Sequence, residues 1–407
     1  MSEGGITPRG IADAAQAASG IVKHTPALSS RALSERVGSE VVLKAENLQR
    51  TGSFKLRGAL SKLGALENET VRGVVTGSAG NHGQAVAYAA AVRGLSCEVF
   101  MPEQAPIAKI EAAEARGAIV HLLGSSVDEA LLAAAERARE GHLAFVHPFD
   151  DPRVVTGQGG VGLELLADVP GLSSVIVPVG GGGLISGMAI ALKSERPEIR
   201  VIGVQVSSCA PFPASLSAGH PIEAGSALSI ADGITVKRPG TLTLPLVQRW
   251  VDELVVVEED DVAEAIVFLL ERAKLVVEGA GAVGVAALLS GQVEPTGPGP
   301  TAVVLSGGNV DAGLLAQIVR RHESQVGRRL VLLARISDRP GSLAQLLSLV
   351  GEQRANLLDV VHIREGFDLH VRETAVQLVL ETRGSDHAQQ VTAAVREAGY
   401  GEPRLLR

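Results

Sequence analysis

Lys55 is the side chain in this sequence whose neighbours most favour chemistry. It follows Phe54 in the stretch TGSFKLRGAL (51–60), where the only other charged residue is Arg57. Apolar surroundings and a nearby cation both disfavour a protonated amine, and a neutral lysine amine is a nucleophile and a base. Because most lysines are solvated, the alternative for Lys55 by itself is an exposed side chain on a helix.

A second polar loop, TGSAGNHGQA (76–85), follows an apolar run and leads into a helical pattern. It contains Ser78, Asn81 and His82. Exposed N–H groups at the start of a helix suit an anion such as a carboxylate or a phosphate. Taken alone, an Asn-His pair is also typical of turns, and its histidine can be an ordinary hydrogen-bonded residue.

Two further loops are rich in glycine. PVGGGGLISG (178–187) has four consecutive glycines, whose amides could approach an anion closely, although a tight turn is the simpler alternative. LSGGNVD (305–311) places Ser306 at the end of a strand, where it could also be a helix cap. Ligands of open α/β sheets bind at the carboxyl ends of strands, so these loops together predict one site.

The elements that must position these loops alternate along the chain. Short β-branched runs are followed by alanine-rich helical stretches, which is typical of parallel sheets with crossover helices. The strand-like runs are 71–77, 95–102, 118–124, 173–180, 199–206 and 300–308. We interpret 291–300 (GQVEPTGPGP) as a surface loop between a helix and the next strand.

The pattern changes after Gly327. Strand-like and helical stretches follow in the order β-α-β-β-α, and a last short strand is compatible with the end of the chain. This order is that of a ferredoxin-like unit, and it predicts a separate module of about 80 residues. Nothing in it resembles a nucleophile or a metal cluster, so a regulatory or assembly role is expected.

Length and composition limit the classes of function. A chain of 407 residues predicts two or three domains, and the net charge of −8 argues against a nucleic-acid partner. Cys97 and Cys209 lie in apolar contexts, which predicts packed thiols in a reducing compartment. The start of the sequence lacks a signal-peptide pattern, and no apolar run approaches the roughly 20 residues that span a bilayer. We therefore expect a soluble cytoplasmic protein with no membrane partner.

The four loop motifs together resemble the fold-type II pyridoxal 5′-phosphate (PLP) enzymes, in particular the threonine/serine dehydratase branch and its threonine ammonia-lyases. The motifs are SFKLRGA, SAGNHGQ, GGGGL and SGGN, and the resemblance covers roughly residues 5–320. TGQGGVGLEL (156–165), IADGITVKRPG (230–240) and VEGAGAVGVAALLSG (277–291) add to it. The stretch ARISDRPGSLAQLL (334–347) resembles an ACT domain, an amino-acid-sensing module.

The resemblance implies an α/β fold with two domains. The first, residues 1–322, would be a two-subdomain, parallel-sheet catalytic unit, with the smaller subdomain at about 52–150 inserted in the larger. The second, residues 328–407, would be a ferredoxin-like βαββαβ ACT domain with regulatory function. By the same resemblance the chain would be a homodimer or a homotetramer.

The resemblance also implies roles for individual residues. Lys55 becomes the Schiff-base lysine and the general base. The other cofactor-binding residues would be Phe54, Asn81, Gly180, Gly181, Gly182, Gly183, Leu184 and Ser306. Those around the substrate carboxylate would be Ser78, Ala79, Gly80, Asn81 and His82. Ser306 matches the residue that faces the pyridine nitrogen, and a hydroxyl there favours β-elimination over transamination.

Two departures distinguish the chain from relatives in the same family. Ala79 stands where serine racemases have a proton-donating serine, so we expect slow racemisation. Gln205 and Pro211 stand where those relatives have metal-binding carboxylates, which predicts no tight divalent metal site. A monovalent ion near EGAGA (278–282) stays open, and Glu278 is equally well explained as a site partner or as a charge at a helix start.

The predicted reaction is the conversion of L-threonine to 2-oxobutanoate and ammonia, as the first step of isoleucine biosynthesis, with L-serine to pyruvate as a side activity. An isoleucine or valine effector would bind the ACT turn formed by Asp338, Arg339, Pro340 and Gly341, unless that module serves assembly alone. The alternatives are a catabolic serine/threonine dehydratase and a non-catalytic amino-acid sensor. A Rossmann oxidoreductase is disfavoured because no acidic residue follows the next strand, VQVSSCA (204–210).

Overall fold

The computed structural model describes residues 5–66, 71–225, 228–364, 369–401 and 404–405. The outer ends of the two expected domains, residues 1–4 and 406–407, lie outside these ranges. The chain divides into two compact units, residues 1–310 and 311–407. The expected end of the catalytic domain at 322 falls inside the helix Ala312–Gln325, which belongs to the second unit and packs beside its first strand.

The first unit consists of strands and helices in regular alternation. Its strands are Ala27–Ser29 (β1), Val41–Lys44 (β2), Gly73–Gly77 (β3), Ser96–Met101 (β4), Ala118–Leu122 (β5), Ala144–Phe145 (β6), Ser174–Pro178 (β7), Arg200–Val206 (β8), Glu253–Val257 (β9) and Thr301–Val304 (β10). Its helices are Pro8–Ala17 (α1), Arg31–Val37 (α2), Lys55–Gly64 (α3), Asn81–Val92 (α4), Ile107–Glu114 (α5), Val127–Gly141 (α6), Pro152–Gln158 (α7), Gly160–Asp168 (α8), Gly183–Glu195 (α9), Pro211–Ala218 (α10), Thr243–Trp250 (α11), Glu259–Phe268 (α12) and Gly279–Leu289 (α13).

Two sheets organise this unit. The larger has the strand order β1-β2-β10-β7-β8-β9, and all its pairs are parallel except β1 with β2. The smaller has the order β5-β4-β3-β6 and is parallel throughout. Every residue of β7 and β10 is buried, as continuous apolar runs in parallel strands require. The predicted parallel α/β fold is confirmed, and the smaller sheet lies within the range 52–150 expected for the inserted subdomain.

The second unit has the predicted β-α-β-β-α-β order. Its strands are Arg329–Ser337 (β11), Asn356–Ile363 (β12), Glu373–Glu381 (β13) and Arg404–Leu405 (β14), and its helices are Ala312–Gln325 (α14), Ser342–Glu352 (α15) and Ser385–Glu397 (α16). The sheet order is β12-β13-β11-β14, with every pair antiparallel. Leu332, Leu378 and Val391 lie at the centre of its apolar core. The last short strand is therefore present, and the unit is ferredoxin-like.

Two expectations from the sequence concern the cysteine thiols and membrane-spanning segments. Both cysteine thiols, Cys97 and Cys209, are buried, in agreement with their apolar sequence contexts. Within the ranges described above, no helix combines the length and the apolar character needed to cross a bilayer.

Candidate active site

The carboxyl ends of the parallel strands meet at a cavity of about 870 Å³ in the first unit. It is lined by residues from both sheets and from the helices that follow them. Every predicted cofactor or substrate residue borders it, namely Phe54, Lys55, Ser78, Ala79, Gly80, Asn81, His82, Gly180, Gly181, Gly182, Gly183, Leu184 and Ser306. The four loop motifs, which are far apart in the sequence, therefore form one site.

Lys55 is the first residue of α3, and its amine is held inside this cavity. Its Nζ donates a hydrogen bond to the carbonyl of Pro148 at 2.8 Å and lies 5.2 Å from the centre of the Phe54 ring. Burial lowers the pKa of Lys55 to about 8, against the opposing effect of the Glu278 carboxylate. The interpretation as a solvated surface lysine is thus wrong, because the side chain is enclosed and its charged form is destabilised.

The first and fourth motifs are joined by their backbones. The Phe54 amide donates to the Ser306 carbonyl at 3.1 Å, and Ser53 and Gly307 form an antiparallel bridge. Ser306 is 3% exposed and borders the same cavity as Lys55. The amine and the Ser306 hydroxyl are consequently held on one framework.

Asn81 is fixed by a chain of side-chain hydrogen bonds. Its Nδ2 donates to Glu278 Oε1 at 2.7 Å, and its Oδ1 accepts from Asn309 Nδ2 at 2.7 Å. Asn309 Nδ2 also donates to the carbonyl of Thr51 at 2.8 Å. Burial and the nearby Asp232 raise the pKa of Glu278 to about 7, while the bond from Asn81 acts in the opposite direction. Glu278, which the sequence left open, is therefore a partner of a cavity residue.

His82 faces the cavity as a neutral ring. Its Nε2 lies 3.0 Å from the carbonyl of Val146, so this nitrogen must carry the proton and donate. Burial, with Lys55 as the next cause, lowers the pKa of His82 to about 3. A neutral ring carries no positive charge, so an anion bound at this loop would be held by its N–H groups rather than by His82.

The four consecutive glycines, residues 180–183, form a loop that we call the glycine loop, and at two of its positions only glycine fits. The backbone of Gly182 has φ +91°, in the left-handed region. A Cβ on Gly181 would lie 2.3 Å from the ring of Phe149. Helix α9 begins directly afterwards at Gly183. A simple tight turn would not require glycine at both positions. The geometry therefore favours a loop whose backbone amides bind an anion.

Sequence reasoning missed the stretch His147–Asp151 and the side chain of Asn309. The stretch HPFDD (147–151) supplies the carbonyl that accepts from Lys55 and the ring that packs on Gly181. The sequence signal for it was the apolar run LAFV (143–146) that precedes HPFDD, but β6 is only two residues long and does not stand out as a strand. Asn309 was visible as the last residue of SGGN.

A family described as "Pyridoxal-phosphate dependent enzyme" matches residues 18–307 of this sequence. The chain belongs to this family. The residues of the cavity fit the cofactor that the family name specifies. The amine with a lowered pKa, the glycine loop in which a Cβ has no room and the buried Ser306 hydroxyl would suit its aldehyde, its phosphate and its ring nitrogen.

Individual members of this PLP-dependent family are similar over most or all of the chain. An L-threonine ammonia-lyase of Thermotoga maritima is 44% identical over 402 residues, covering 98% of this chain and 100% of the relative. The L-threonine dehydratase catabolic TdcB of Escherichia coli K12 is 42% identical over 310 residues, covering 76% and 94%.

Solved structures agree with this assignment to the PLP-dependent enzymes. The processed form of threonine deaminase isoform 2 from Solanum lycopersicum has a TM-score of 0.73 at 33% identity and covers 76% of this chain and 86% of its own. Maize serine racemase has a TM-score of 0.73 at 34% identity and covers 79% and 98%.

Gln205 is one of the two residues from which the sequence predicts no tight divalent metal site. It is fully buried, donates to the carbonyl of Val179 at 3.3 Å and accepts from the amide of Phe212 at 3.1 Å. In the part of the chain that the structure describes, no group of three or more His, Cys, Asp or Glu side chains could hold a metal ion. The absence of a divalent site stays a prediction.

Proposed function

We propose that this enzyme eliminates the β-hydroxyl and the amino group of L-threonine to give 2-oxobutanoate and ammonia. The observation that carries the proposal is the enclosed amine of Lys55, with its pKa lowered to about 8, in one cavity with Ser306 and the glycine loop. The similarity over the full length of a relative named L-threonine ammonia-lyase supports the choice of substrate.

The residues of the cavity divide between holding the cofactor and acting on the amino acid. Lys55 would carry the cofactor, the glycine loop and Leu184 would hold its phosphate, and Asn81 would bond its 3′-oxygen. Bound PLP would supply an electron sink for the charge left when the α-proton is removed. Phe54 would lie beside the ring.

Lys55 is also the proposed general base. With a pKa of about 8, roughly a tenth of the amine is neutral at pH 7, compared with less than about one part in a thousand for a solvated lysine. The neutral amine can accept the α-proton and hold it within the cavity. Ser306 is a hydroxyl rather than a carboxylate and cannot keep the ring nitrogen protonated, which favours β-elimination over transamination.

The substrate carboxylate would be held at the start of α4. Ser78 accepts a bond from the Gly80 amide at 3.2 Å, which shapes the turn, and Asn81 begins the helix. Ala79 has no proton to give to the opposite face of the substrate, so we expect slow racemisation. Serine should be a side substrate, because one methyl group discriminates by only about 1–3 kcal/mol.

A biosynthetic role with feedback through the second unit is the finer part of this proposal. Asp338, Arg339, Pro340 and Gly341 form an exposed turn before α15, which could receive isoleucine or valine. Asp338 is paired with Arg364 at 2.7 Å, and this contact ties the turn to the end of β12. The second candidate is a catabolic dehydratase, favoured by the relatives that carry this name.

A steady-state comparison of L-threonine and L-serine tests the proposal. We expect 2-oxobutanoate and ammonia in equal amounts from threonine, slower formation of pyruvate from serine, and no measurable turnover in Lys55→Ala. Substantial activity in Lys55→Ala, or no 2-oxo acid from either substrate with the wild-type protein, would contradict it.

A further inference from the structure

Two neighbouring residues of the stretch HPFDD connect the glycine loop to the start of α11, with Phe149 contacting the loop and Asp150 contacting the helix start. Phe149 packs its ring against Gly181, and its backbone carbonyl lies 3.0 Å from the position of a Cβ on Gly183. The Asp150 carboxylate accepts hydrogen bonds from the amides of Thr241, Leu242 and Thr243 at 3.0, 3.0 and 3.2 Å, and from the Thr241 hydroxyl at 3.1 Å. An acidic side chain from another segment thus caps the start of α11.

This cap fixes the side chain of Thr243, the first residue of α11. Thr243 is fully buried, and its Oγ1 donates to the carbonyl of Gly181 at 2.6 Å. A Cβ on Gly182 would lie 2.9 Å from the Thr243 Cβ. The loop lines the cavity whereas Thr243 does not, so the hydroxyl reaches the loop from behind.

The hydrogen bond decides which way one peptide group of the loop faces. The peptide bonds of the described residues are all trans, so the carbonyl of Gly181 and the N–H of Gly182 point in opposite directions. With the carbonyl tied back to Thr243, the Gly182 N–H is directed toward the cavity side. Glycine has wide backbone freedom, and without such a tie the peptide could turn over.

We propose that Thr243, held in place by Asp150, is a positioning residue that directs the amides of the glycine loop toward the phosphate group of the cofactor. The inference rests on the proposed cofactor site and adds residues that none of the four sequence motifs contains. It concerns recognition of the phosphate alone, since neither side chain borders the part of the cavity that holds Lys55.

Titration of the cofactor-free full-length chain with PLP and with pyridoxal, which lacks the phosphate, tests this role. For Thr243→Val we expect PLP to bind about fivefold to tenfold more weakly, as the loss of one oriented hydrogen bond implies. Pyridoxal should bind within about twofold of its wild-type affinity. Thr243→Ser keeps the hydroxyl and should restore the affinity for PLP.

Thr156→Val is the matched control, because the Thr156 hydroxyl also donates to a backbone carbonyl, that of Pro152 at 2.7 Å, in a buried position away from the cavity. It should leave both affinities unchanged. Asp150→Asn offers a second test if Thr243→Val does not fold. Its amide replaces one of the two acceptor oxygens, so PLP should bind more weakly and pyridoxal as in the wild type.

The outcomes separate this inference from the proposed function. Equal weakening of PLP and pyridoxal in Thr243→Val, or unchanged binding of both, would overturn the role of Thr243 while leaving the enzyme assignment intact. A wild-type protein that bound neither compound would contradict the proposed function itself.

Discussion

Two ionisable side chains of the cavity, Lys55 and Glu278, have pKa values close to neutral pH. Burial moves the pKa of the amine down to about 8 and that of the carboxyl up to about 7. Near neutral pH both groups can therefore exchange protons at small cost. A lowered pKa is what a general base such as the Lys55 amine requires. The raised pKa of the Glu278 carboxyl means that its charged form destabilises the folded protein, and this cost can be measured.

Replacing Glu278 with Gln should stabilise the cofactor-free protein at pH 8. The folded protein binds the carboxyl proton more tightly than the unfolded chain does, so the penalty appears as the pH rises from about 4.5 to 7 and is complete above that range. Gln keeps an oxygen for Asn81 and removes the buried charge. Urea unfolding should show a gain of about 1–3 kcal/mol at pH 8 that disappears near pH 4.5. A variant less stable than the wild type at pH 8 would contradict the raised pKa.

Sequence reasoning at this scale succeeded where a residue belonged to a recognisable motif. Lys55, Asn81 and Ser306 all border the cavity as expected. Glu278 could not be decided, because its burial and its bond to Asn81 depend on contacts almost 200 residues apart in the sequence. Phe149 was missed because its partner is a glycine, which has no side chain to suggest a contact.

The conformation of the glycine loop between β7 and α9 depends on the absence of side chains at two of its residues. Phe149 fills the place of a side chain at Gly181, and Gly182 requires a left-handed backbone. Both features therefore favour glycine at these two positions. The same pentapeptide that packs on the loop also accepts the hydrogen bond from Lys55, so the loop and the amine contact one segment.

Gly181→Ala should destabilise the protein by about 1–3 kcal/mol and weaken PLP binding, since the new methyl group overlaps the Phe149 ring. Gly351→Ala is a suitable control, because a Cβ at this position in α15 has nothing within 4 Å. It should leave cofactor binding unchanged and alter stability by less than about 1 kcal/mol. Chemical denaturation and cofactor titration check both variants. A Gly181→Ala protein that matched the wild type in both measurements would show that the loop tolerates a side chain.

Long apolar runs made the strands β7, β8 and β10 predictable, whereas β1, β2, β6 and β9 were not among the predicted strands. β7, β8 and β10 are almost wholly buried and read as continuous apolar runs. β1 and β6 have three and two residues, too few for any periodicity to appear. Helix α14 looks like the end of the catalytic domain in the sequence, and only its packing beside β11 assigns it to the second unit.

The whole molecule combines a PLP-dependent catalytic unit with a ferredoxin-like unit. The similarity to the Thermotoga maritima relative extends over both units, whereas that to the Escherichia coli relative covers 76% of the chain. The β-α-β-β-α-β order of its elements along the chain was predicted from the strand and helix patterns. What that unit binds does not follow from its fold, since ferredoxin-like units serve many functions.

Isoleucine should stabilise the full-length protein and lower its turnover of threonine. At about 100 times its Kd, an effector that binds only the folded state adds about 2.7 kcal/mol to the free energy of unfolding. Thermal melting and initial rates measured with isoleucine, valine and, as a control, alanine check this. Asp338→Asn loosens the pairing with Arg364 and should reduce the response. If no branched-chain amino acid changed melting or rate, the second unit would be an assembly module instead.

Borohydride reduction of the PLP-loaded full-length protein, followed by peptide mapping, tests the central claim most directly. The loaded protein should absorb near 410–420 nm, a range typical of a protein-bound Schiff base of this cofactor. After reduction, the added mass of the cofactor should lie on the peptide that contains Lys55 and on no other. A colourless protein after cofactor supplementation, or reduction that left Lys55 unmodified, would contradict the account.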